Sequence, residues 1–493
     1  MRDGLRSTLL KVLLFAVSVR VTSSASPVDV QLRLAFLQRM SDVTVSQENC
    51  ESGRWVSGRC WLGTSWQASA VLGLVALDDF NARNGSSVPA FANLDGCDKR
   101  LVANVFDSGS TAVESVAAVS AVFSDVLSDL SDSLQTTNAP DVAMLNNTCA
   151  PSHDPVAGLI GPARSDSSLL VGRIASAMKL PQLSYYSTTT ELNDPTVYPY
   201  FGRTMPTDEA LTRAMCALWK SLGYSVAGIL YPINEVYGES FNLQLRGSCS
   251  ELGVGVISMP FVSGTEAGVS LAVNAIADLK MNVGVIAVSS TLDVQLLMPM
   301  FLKTGLLGTG TAWGITDSIT VDDLVALPLE VRAAIDGLLF YATAGGAESI
   351  PQFLHFAALR WPTFNASRFN AEWPAPFHIP ENFFTTFNAR SGAESALGLG
   401  AFEYDAVAAF GLLVCEVAPQ GPLPANYTQA LWSHLTSGFA FDGLSGRIRF
   451  DTMGNRDPTS TVVRLGNIVT SQQGRRLSEA STVTLDTKAM WDG

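Results

Sequence analysis

The sequence predicts an α/β protein of two lobes, each a mostly parallel sheet with helices on both faces, and three observations predict it. From about residue 30, short apolar runs alternate with helical stripes, and this alternation is typical of parallel sheets covered by helices. The alternation occurs as two series, the second beginning at Val226. The chain has 493 residues, which exceeds what one hydrophobic core usually serves.

The expected elements follow from hydrophobic periodicity and from the turn residues between them. The first series is a strand at 31–37, a helix at 66–81, a strand at 156–160, a helix with Leu170, Ile174 and Met178 inward, and a strand at 181–186. The second series is a strand at 226–231, a helix at 238–251, a strand at 254–261, a helix at 267–280, and a strand at 283–288. In open parallel sheets, ligands bind beyond the carboxyl ends of the strands. We therefore expect the site at the loops after Ile160, Tyr186 and Tyr231.

The N-terminus predicts a secretory signal peptide over residues 1–25. Arg2 and Arg6 precede an apolar stretch from Leu9 to Val19, and the small residues Ser23-Ser24-Ala25 follow it. This order is typical of an exported protein, and the stretch is short for a membrane span. An N-terminal anchor or a buried helix is the alternative. No later segment has eighteen uninterrupted apolar residues.

Composition and motifs exclude several function classes. A net charge of −14 argues against nucleic-acid binding, since no basic surplus replaces counterions. The four histidines show no HExxH spacing, and no G-x-S-x-G elbow, phosphate-binding loop or CxxC pair occurs. We therefore expect neither an enzyme, nor a metal site, nor a cofactor.

Six segments in order resemble a known family. They are GLIGPARSDSSLL (158–170), LPQLSYYSTTTEL (180–192), YPYFGRTMPTDEA (198–210), EVYGES (235–240), FEYDAVAAFGLL (402–413) and FDGLSGRIRFDTMGNR (441–456). Together they resemble the receptor-family ligand-binding region. That family includes the extracellular domains of natriuretic-peptide, metabotropic glutamate and GABA-B receptors and is related to type I periplasmic binding proteins.

The resemblance implies a clamshell of two lobes joined by three crossing strands, with the ligand in the cleft. Lobe 1 would comprise residues 26–204 and 343–438, and lobe 2 residues 205–342 and 439–475. Residues 476–493 lack periodicity and predict a stalk or a disordered end.

Three polar residues on the lobe 1 side are candidate ligand contacts. Ser165 stands at the start of a predicted helix, where a hydroxyl and unpaired N–H groups can hold a carboxylate; a plain N-cap is the alternative. Ser187 and Thr188 follow the next strand. The family uses this segment to contact amino and carboxylate groups. Thr188 with Glu191 also fits a capping box.

Asp208 and Tyr237 are the candidates on the lobe 2 side. In glutamate-type receptors the matching positions contact the amino group and cover the ligand. An aspartate could pair with a ligand ammonium, and a tyrosine could close over it. The alternatives are an acid that begins a helix at Asp208 and ordinary wall packing at Tyr237.

Two departures from the glutamate receptors concern the ligand. The segment TGTAWG has Thr311, two residues before Trp313, where those receptors have an aspartate before a tryptophan. Thr311 and Trp313 are further candidates for the site. No lysine for a distal carboxylate is evident before Phe402. Arg164 could bind an acidic ligand, or it could be a solvated side chain.

Cysteines and sequons fit export. Family analogy predicts the disulfides Cys50–Cys60, Cys97–Cys149 and Cys216–Cys249, with Cys415 left over, buried or paired between chains; spacing alone does not fix the connectivity. Glycosylation sequons begin at four asparagines, Asn84, Asn146, Asn365 and Asn426.

The sequence and the resemblance together predict the extracellular ligand-binding domain of a cell-surface receptor. We expect a small amine or amino-acid-like ligand, signalling by lobe closure, a homo- or heterodimer through lobe 1, and a membrane segment outside this chain. A secreted form would place the same domain in solution outside the cell. The alternatives are a peptide- or protein-binding ectodomain and a clamshell that dimerises without binding.

Overall fold

Two sheets organise the described part of the chain. The computed structural model describes residues 19–20, 30–42, 47, 50, 55–56, 58–62, 64–122, 156–233, 235–308, 310–319, 323–324, 327–343, 351–371, 373–386, 394–457, 463–471 and 482–491. The first sheet contains β1 (Val19–Arg20), β2 (Val30–Gln38), β3 (Lys99–Asp107), β4 (Val156–Ile160), β5 (Gln182–Ser184) and β6 (Phe201–Arg203). The second contains β7 (Val226–Ile233), β8 (Gly255–Val262), β9 (Val283–Ile286), β10 (Ala312–Thr316), β11 (Leu339–Thr343), β12 (Val463–Ser471) and β13 (Thr482–Trp491).

Helices connect and cover these strands. The α-helices are α1 (Thr64–Asn81), α2 (Ser165–Ala177), α3 (Asp208–Ser221), α4 (Val236–Glu251), α5 (Glu266–Asp278), α6 (Thr291–Thr304), α7 (Leu329–Ala334), α8 (Pro351–His355), α9 (Ala366–Asn370), α10 (Phe383–Thr386), α11 (Glu394–Val417) and α12 (Tyr427–Leu435). A further helical stretch covers 112–122. Shorter turns are the 3-10 helices Pro89–Asn93, Thr190–Asn193, Trp361–Thr363 and Ala375–Phe377 and the π-helical turn Phe356–Arg360.

Both sheets are mostly parallel, as predicted. The first has the strand order β1-β3-β2-β4-β5-β6, and only β1 pairs antiparallel. The second has the order β8-β7-β9-β10-β11-β12-β13, with β12 and β13 antiparallel. In each sheet the strand order reverses next to the first long strand, β2 or β7, and such a reversal opens a crevice for ligands.

Helices cover both faces of each sheet because alternate strand residues point to opposite sides. In β2, Leu34 and Phe36 pack against α1 and α11, whereas Ala35 and Leu37 pack on the side of α2. The helices α1 and α11 approach closely, and a Cβ on Gly411 would lie 2.6 Å from the Phe80 ring. This is the type I periplasmic-binding-protein-like fold.

The buried face of α2 differs from the prediction. Leu170 is 40% exposed and Met178 is 57% exposed, whereas Leu169, Val171 and Ala175 face the sheet. The helix is rotated by about one position from the predicted stripe, so that Val171 and Ala175 pack with Leu159 of β4. The prediction that Leu170 and Met178 point inward was wrong.

The last part of the chain also differs from expectation. The two-stranded hairpin of Ala440–Gly443 and Gly446–Arg449 contributes Phe441 and Ile448 to the core of lobe 1, although residues from 439 onward were expected in lobe 2. Asp405 on α11 holds its turn by accepting hydrogen bonds from Leu444 N (2.6 Å) and Ser445 N (2.8 Å). Within the expected stalk, residues 482–491 form β13 at the edge of the second sheet.

Three disulfides link the described cysteines. Cys50–Cys60 and Cys216–Cys249 agree with the prediction. Cys97 pairs with Cys415, 318 residues away, so the predicted Cys97–Cys149 pair and an unpaired Cys415 are both wrong. The physical reason is the packing of α11, which carries Cys415, against the helix α1 and the strand β3 that follows Cys97. Cys149 lies outside the described residues.

Three small strands, Ser41–Asp42, Trp55–Val56 and Arg59–Trp61, form a separate sheet that includes Cys60. Within the described ranges, no helix combines the length and the apolar character that crossing a membrane requires.

Candidate functional site

A cleft between the lobes lies where the carboxyl ends of the two sheets face each other. In this conformation the cleft is narrow, with about 40 Å³ of free space, and it opens to solvent. Its lining residues from lobe 1 are Arg39, Trp66, Arg164, Ser165, Asp166, Tyr186, Thr188 and Met205, and those from lobe 2 are Tyr237, Ser289, Asp317 and Ser318. The chain therefore brings four sequence candidates to the cleft wall: Ser165, Thr188, Tyr237 and Arg164.

Ser165 is the first residue of α2 and faces the cleft. The residue at the N-cap position is Arg164, which makes no side-chain cap, so the plain N-cap alternative for Ser165 was wrong. Ser165 Oγ accepts hydrogen bonds from Thr188 N (3.3 Å) and Thr189 N (3.4 Å). Because its oxygen is used as an acceptor, its O–H group is the part that can donate to a ligand.

Ser187 and Thr188 have different positions. Ser187 is fully buried, and its Oγ lies 2.7 Å from Ser168 Oγ and 3.2 Å from Ala163 O, inside lobe 1 rather than on the cleft wall. Thr188 lines the cleft, and its buried hydroxyl stabilises the ionised form of the Asp208 carboxyl by hydrogen bonding. The 3-10 helix that follows is capped by Thr189, which accepts from Glu191 N (3.4 Å). The capping-box alternative for Thr188 was therefore wrong.

Asp208 is the first residue of α3, directly behind the cleft wall. It is 4% exposed. Burial raises the pKa of Asp208 to about 7; a hydrogen bond from Thr188 and the charge of Arg203 oppose the rise, and the charge of Asp317 adds to it. A cation beside such a buried carboxyl would stabilise its ionised form and lower its pKa.

Tyr237 stands in the first turn of α4 and closes the lobe 2 side. Its hydroxyl donates to Thr316 Oγ1 at 2.8 Å, and its ring lies 5.8 Å from the Phe241 ring. Burial, followed by the charges of Asp208 and Asp317, raises the pKa of Tyr237 well above its usual value. The tyrosine therefore stays neutral at physiological pH.

Asp317 is the residue that the motif comparison missed. It follows β10 directly, is 6% exposed, and its Oδ2 accepts a hydrogen bond from Thr343 N at 2.8 Å. Burial raises the pKa of Asp317 to about 6, while the amide of Thr343 opposes the rise. The signal in the sequence was an acid at the carboxyl end of a buried strand. It lies six residues after Thr311, the position that matches the aspartate of the glutamate receptors.

Thr311 and Trp313 do not belong to the cleft. Thr311 precedes β10 and donates from Oγ1 to Gly308 O at 2.9 Å. Trp313 is 2% exposed in the core of lobe 2, where its Nε1 donates to Met281 O at 3.0 Å. Both lie toward the amino end of β10, whereas the cleft lies at its carboxyl end. The cleft wall therefore includes neither of these two candidates, and the acid at the carboxyl end of the strand is Asp317.

Arg39, Trp66 and Tyr186 form a wall that sequence reasoning did not select. The Arg39 guanidinium lies 4.7 Å from the Trp66 ring centroid, and the Tyr186 ring lies 6.0 Å from the same tryptophan. Tyr186 also donates from its hydroxyl to Asp317 O at 3.2 Å, which joins lobe 1 to lobe 2. Arg39 follows β2, so its position after a strand was the available signal.

Arg164 also reaches across the cleft. Its Nη1 donates to Ser289 Oγ at 3.1 Å, and its Nη2 lies 3.6 Å from Glu235 Oε1. Asp166 is a further partner, 3.1 Å from Arg164 Nε. Burial raises the pKa of Glu235, and Arg164 opposes this. Arg164 is therefore not simply a solvated side chain. It links the two lobes at the edge of the cleft through Ser289 and Glu235.

The described sequon asparagines differ in accessibility. Asn365 and Asn426 are exposed. Asn84 is partly buried, and its Nδ2 donates to Asp79 Oδ1 at 2.8 Å, so its amide nitrogen has a structural role. Asn146 lies outside the described residues.

The fold and the cleft define a class: two-lobed ligand-binding proteins in which both lobes contribute to the site. Residues 94–467 match the family described as receptor family ligand binding region. That match covers more than half of the chain, and the chain therefore belongs to this family.

Similar proteins are receptors of the metabotropic glutamate and C-family type. The chain is 28% identical over 170 residues to metabotropic glutamate receptor-like protein E of Dictyostelium discoideum, covering 33% of this chain and 21% of that protein. It is 39% identical over 87 residues to metabotropic glutamate receptor 8 of Homo sapiens, covering 18% and 10%. It is 40% identical over 86 residues to G-protein coupled receptor family C group 6 member A of Carassius auratus, covering 17% and 10%. The matched parts thus span about a fifth or less of these relatives.

Proposed function

We propose that this chain is the extracellular ligand-binding domain of a cell-surface receptor, and that a small amine or amino-acid-like ligand binds in the interlobe cleft. The observation that carries the proposal is the pair of buried carboxyls, Asp208 and Asp317, at the cleft. Both have raised pKa values because burial removes their hydration. A ligand ammonium would restore the lost stabilisation of their charge.

The opposite wall supports an acidic group on the same ligand. Ser165 presents an O–H group at the N-terminus of the 13-residue helix α2, and the dipole there favours negative charge. Thr188 offers a second hydroxyl beside it. An ammonium on one side and a carboxylate on the other is the arrangement of an α-amino acid.

Closure of the lobes is the proposed signal. A ligand held first by Ser165 and Thr188 would gain contacts with Asp208, Asp317 and Tyr237 only when the lobes approach, and such differential contacts shift a population toward the closed state. The contacts from Tyr186 and Arg164 to lobe 2 would add to the closed form.

A dimer through lobe 1 is part of the proposal. Leu170 on α2 and Met178, the residue that caps the C-terminus of this helix, are exposed apolar side chains. Exposed apolar surface of this kind is favoured at interfaces between subunits. Closure of the cleft in one protomer would then move its lobe 2 relative to the partner.

The test is a thermal-shift screen of the purified full-length chain against glycine, L-serine, L-glutamate, γ-aminobutyrate and ethanolamine. A ligand that binds the folded cleft raises the melting temperature by mass action. The expected result is a shift with at least one compound, abolished by Asp208→Asn and retained by Glu209→Gln, which makes the same change at the next position, where the side chain is partly exposed.

The other outcomes identify the alternatives. A shift that Asp208→Asn leaves unchanged would remove the carboxyl pair from the site. No shift with any compound, together with a concentration-dependent dimer, would favour a peptide ligand or a dimerising clamshell that binds nothing in the cleft.

A further inference from the structure

Arg203 stands behind the loop that carries Thr188, at the point where the chain leaves lobe 1. The side chain is fully buried at the end of β6. Burial lowers the pKa of Arg203 to about 10, and the charges of Asp208 and Asp451 oppose this, so the guanidinium is charged at neutral pH. A buried charge of this kind needs several hydrogen-bond acceptors.

Those acceptors come from two functional regions. Arg203 Nη1 donates to Ser187 O (3.0 Å) and Thr189 O (2.8 Å), the carbonyls on either side of Thr188. Its Nη2 donates to Asn193 Oδ1 at the end of the same loop. Its Nε donates to Asn455 Oδ1 at 2.7 Å, and residue 455 precedes the third passage of the chain between the lobes.

The backbone makes the same connection. Arg203 N donates to Gly454 O at 3.0 Å, and Arg456 N donates to Arg203 O at 3.1 Å. The segment after Arg203 runs through 204–207 to Asp208 in lobe 2. The Arg203 guanidinium therefore joins the binding loop to Asn455, and the backbone of Arg203 leads directly into the 204–207 segment.

The loop itself has little other backbone support. The amides of Thr188 and Thr189 donate to a side chain, Ser165 Oγ, at 3.3 and 3.4 Å, and the amide of Thr190 donates to Ser240 Oγ at 3.4 Å. These bonds are long, and none belongs to a strand or helix ladder. The loop is consequently fixed mainly through its carbonyl groups, which accept shorter, charge-assisted hydrogen bonds from Arg203.

We propose that Arg203 is a positioning residue that sets the backbone of the Ser187–Thr190 binding loop and couples it to the crossing segments. A movement of the crossing segments on closure would then move the loop. Conversely, a ligand that contacts Thr188 would favour one conformation of the crossing segments. The inference rests on the proposed function for its role in signalling.

Arg456 provides a matched control. It is also fully buried, with a pKa lowered by burial to about 10. Its guanidinium donates to Thr204 O (3.3 Å), Ser445 Oγ (2.7 Å), Ser445 O (3.0 Å) and Arg447 O (3.1 Å), acceptors that lie outside the binding loop. Arg456→Lys therefore removes a buried guanidinium of the same kind without removing the hydrogen bonds that Arg203 donates to the loop.

The experiment is hydrogen–deuterium exchange, read by mass spectrometry, on the full-length chain without ligand. In Arg203→Lys, the peptide covering residues 185–192 should exchange about tenfold faster than in Arg456→Lys, because the single nitrogen of a lysine cannot replace the three nitrogens with which Arg203 reaches its four acceptors. Peptides of α1 and α11 should exchange alike in the two variants.

Equal exchange of the loop in the two variants, or an acceleration spread evenly over lobe 1, would overturn the inference. If Arg203→Lys does not fold, Asn455→Ala decides the question, because it removes the acceptor of Arg203 Nε at the crossing and leaves the bonds of Arg203 to the loop carbonyls in place. Faster loop exchange in this variant supports the coupling, and unchanged exchange refutes it. Since no ligand is used, failure of the proposed function leaves this test intact.

Discussion

The affinity for an amine ligand should depend steeply on pH through Asp208. In the free protein, burial raises the pKa of this carboxyl to about 7, so it holds its proton in mildly acidic solution. A ligand ammonium favours the ionised carboxylate, and binding therefore expels the proton. Affinity must then rise with pH up to the pKa of Asp208 and level off above it.

The magnitude follows from the pKa. At pH 5, two units below a pKa of about 7, roughly one Asp208 carboxyl in a hundred is ionised, whereas at pH 8 most are ionised. We expect the affinity to increase about a hundredfold over this range. Asp317, with a pKa of about 6, should add a further factor of about ten if it is also ionised in the complex.

Isothermal titration calorimetry in two buffers of different ionisation enthalpy measures the effect directly. At pH 6 the wild type should release about one proton or more per ligand bound. Asp208→Asn should bind more weakly and lose the larger part of the pH dependence, whereas Glu209→Gln should keep both. An affinity that is flat between pH 5 and pH 8, or that falls as pH rises, would refute the reasoning.

Three further predictions concern stability and assembly. Peptide mapping should find Cys97 linked to Cys415, and a double serine variant should lose about 2–5 kcal/mol in chemical denaturation; a different partner for Cys97 would contradict the packing of α11. The free energy of unfolding should fall as pH rises from about 4 to about 7, because the cleft acids keep protons in the folded state that they lose when unfolded; a rise over this range in urea titrations would count against their raised pKa values. Leu170→Glu combined with Met178→Glu should give monomers in sedimentation velocity, whereas a dimer unaffected by these charges would place the interface elsewhere.

Much of the fold could be predicted because apolar periodicity is a local property. The strand at Val156–Ile160 has the predicted bounds, and the helices α1 and α4 begin within two residues of their predicted positions. The buried face of α2 could not be predicted in the same way. Leu170 and Met178 are as apolar as core residues, but which face of the helix is buried depends on its packing against the sheet.

The site could be predicted where polar residues follow strands. Ser165, Thr188 and Tyr237 line the cleft because they lie just beyond carboxyl ends of parallel strands. The same rule would have found Asp317, which motif matching missed because Trp313 served as the reference point. Trp313 lies near the amino end of β10 and packs in the core of lobe 2, so its position carries no information about ligand contacts at the carboxyl end of the strand.

Long-range pairing lies beyond local reasoning. The Cys97–Cys415 link and the Arg203–Asn455 bond join positions 318 and 252 residues apart. No spacing rule anticipates such partners, because a lobe assembled from two distant segments brings them together only in three dimensions.

The interleaving of the lobes also determines the order in which the molecule can be completed during synthesis. The core of lobe 1 needs α11 against α1, and Phe80 meets Gly411 only after the whole 205–342 segment has been made. The parallel strands β7 to β11, by contrast, are contiguous in sequence, and a domain generally folds once its own chain has emerged. The ribosome therefore delivers most of the second lobe while the first still exposes an unfinished apolar face, and for that interval the half-built lobe 1 is the part of the chain that a chaperone has to protect.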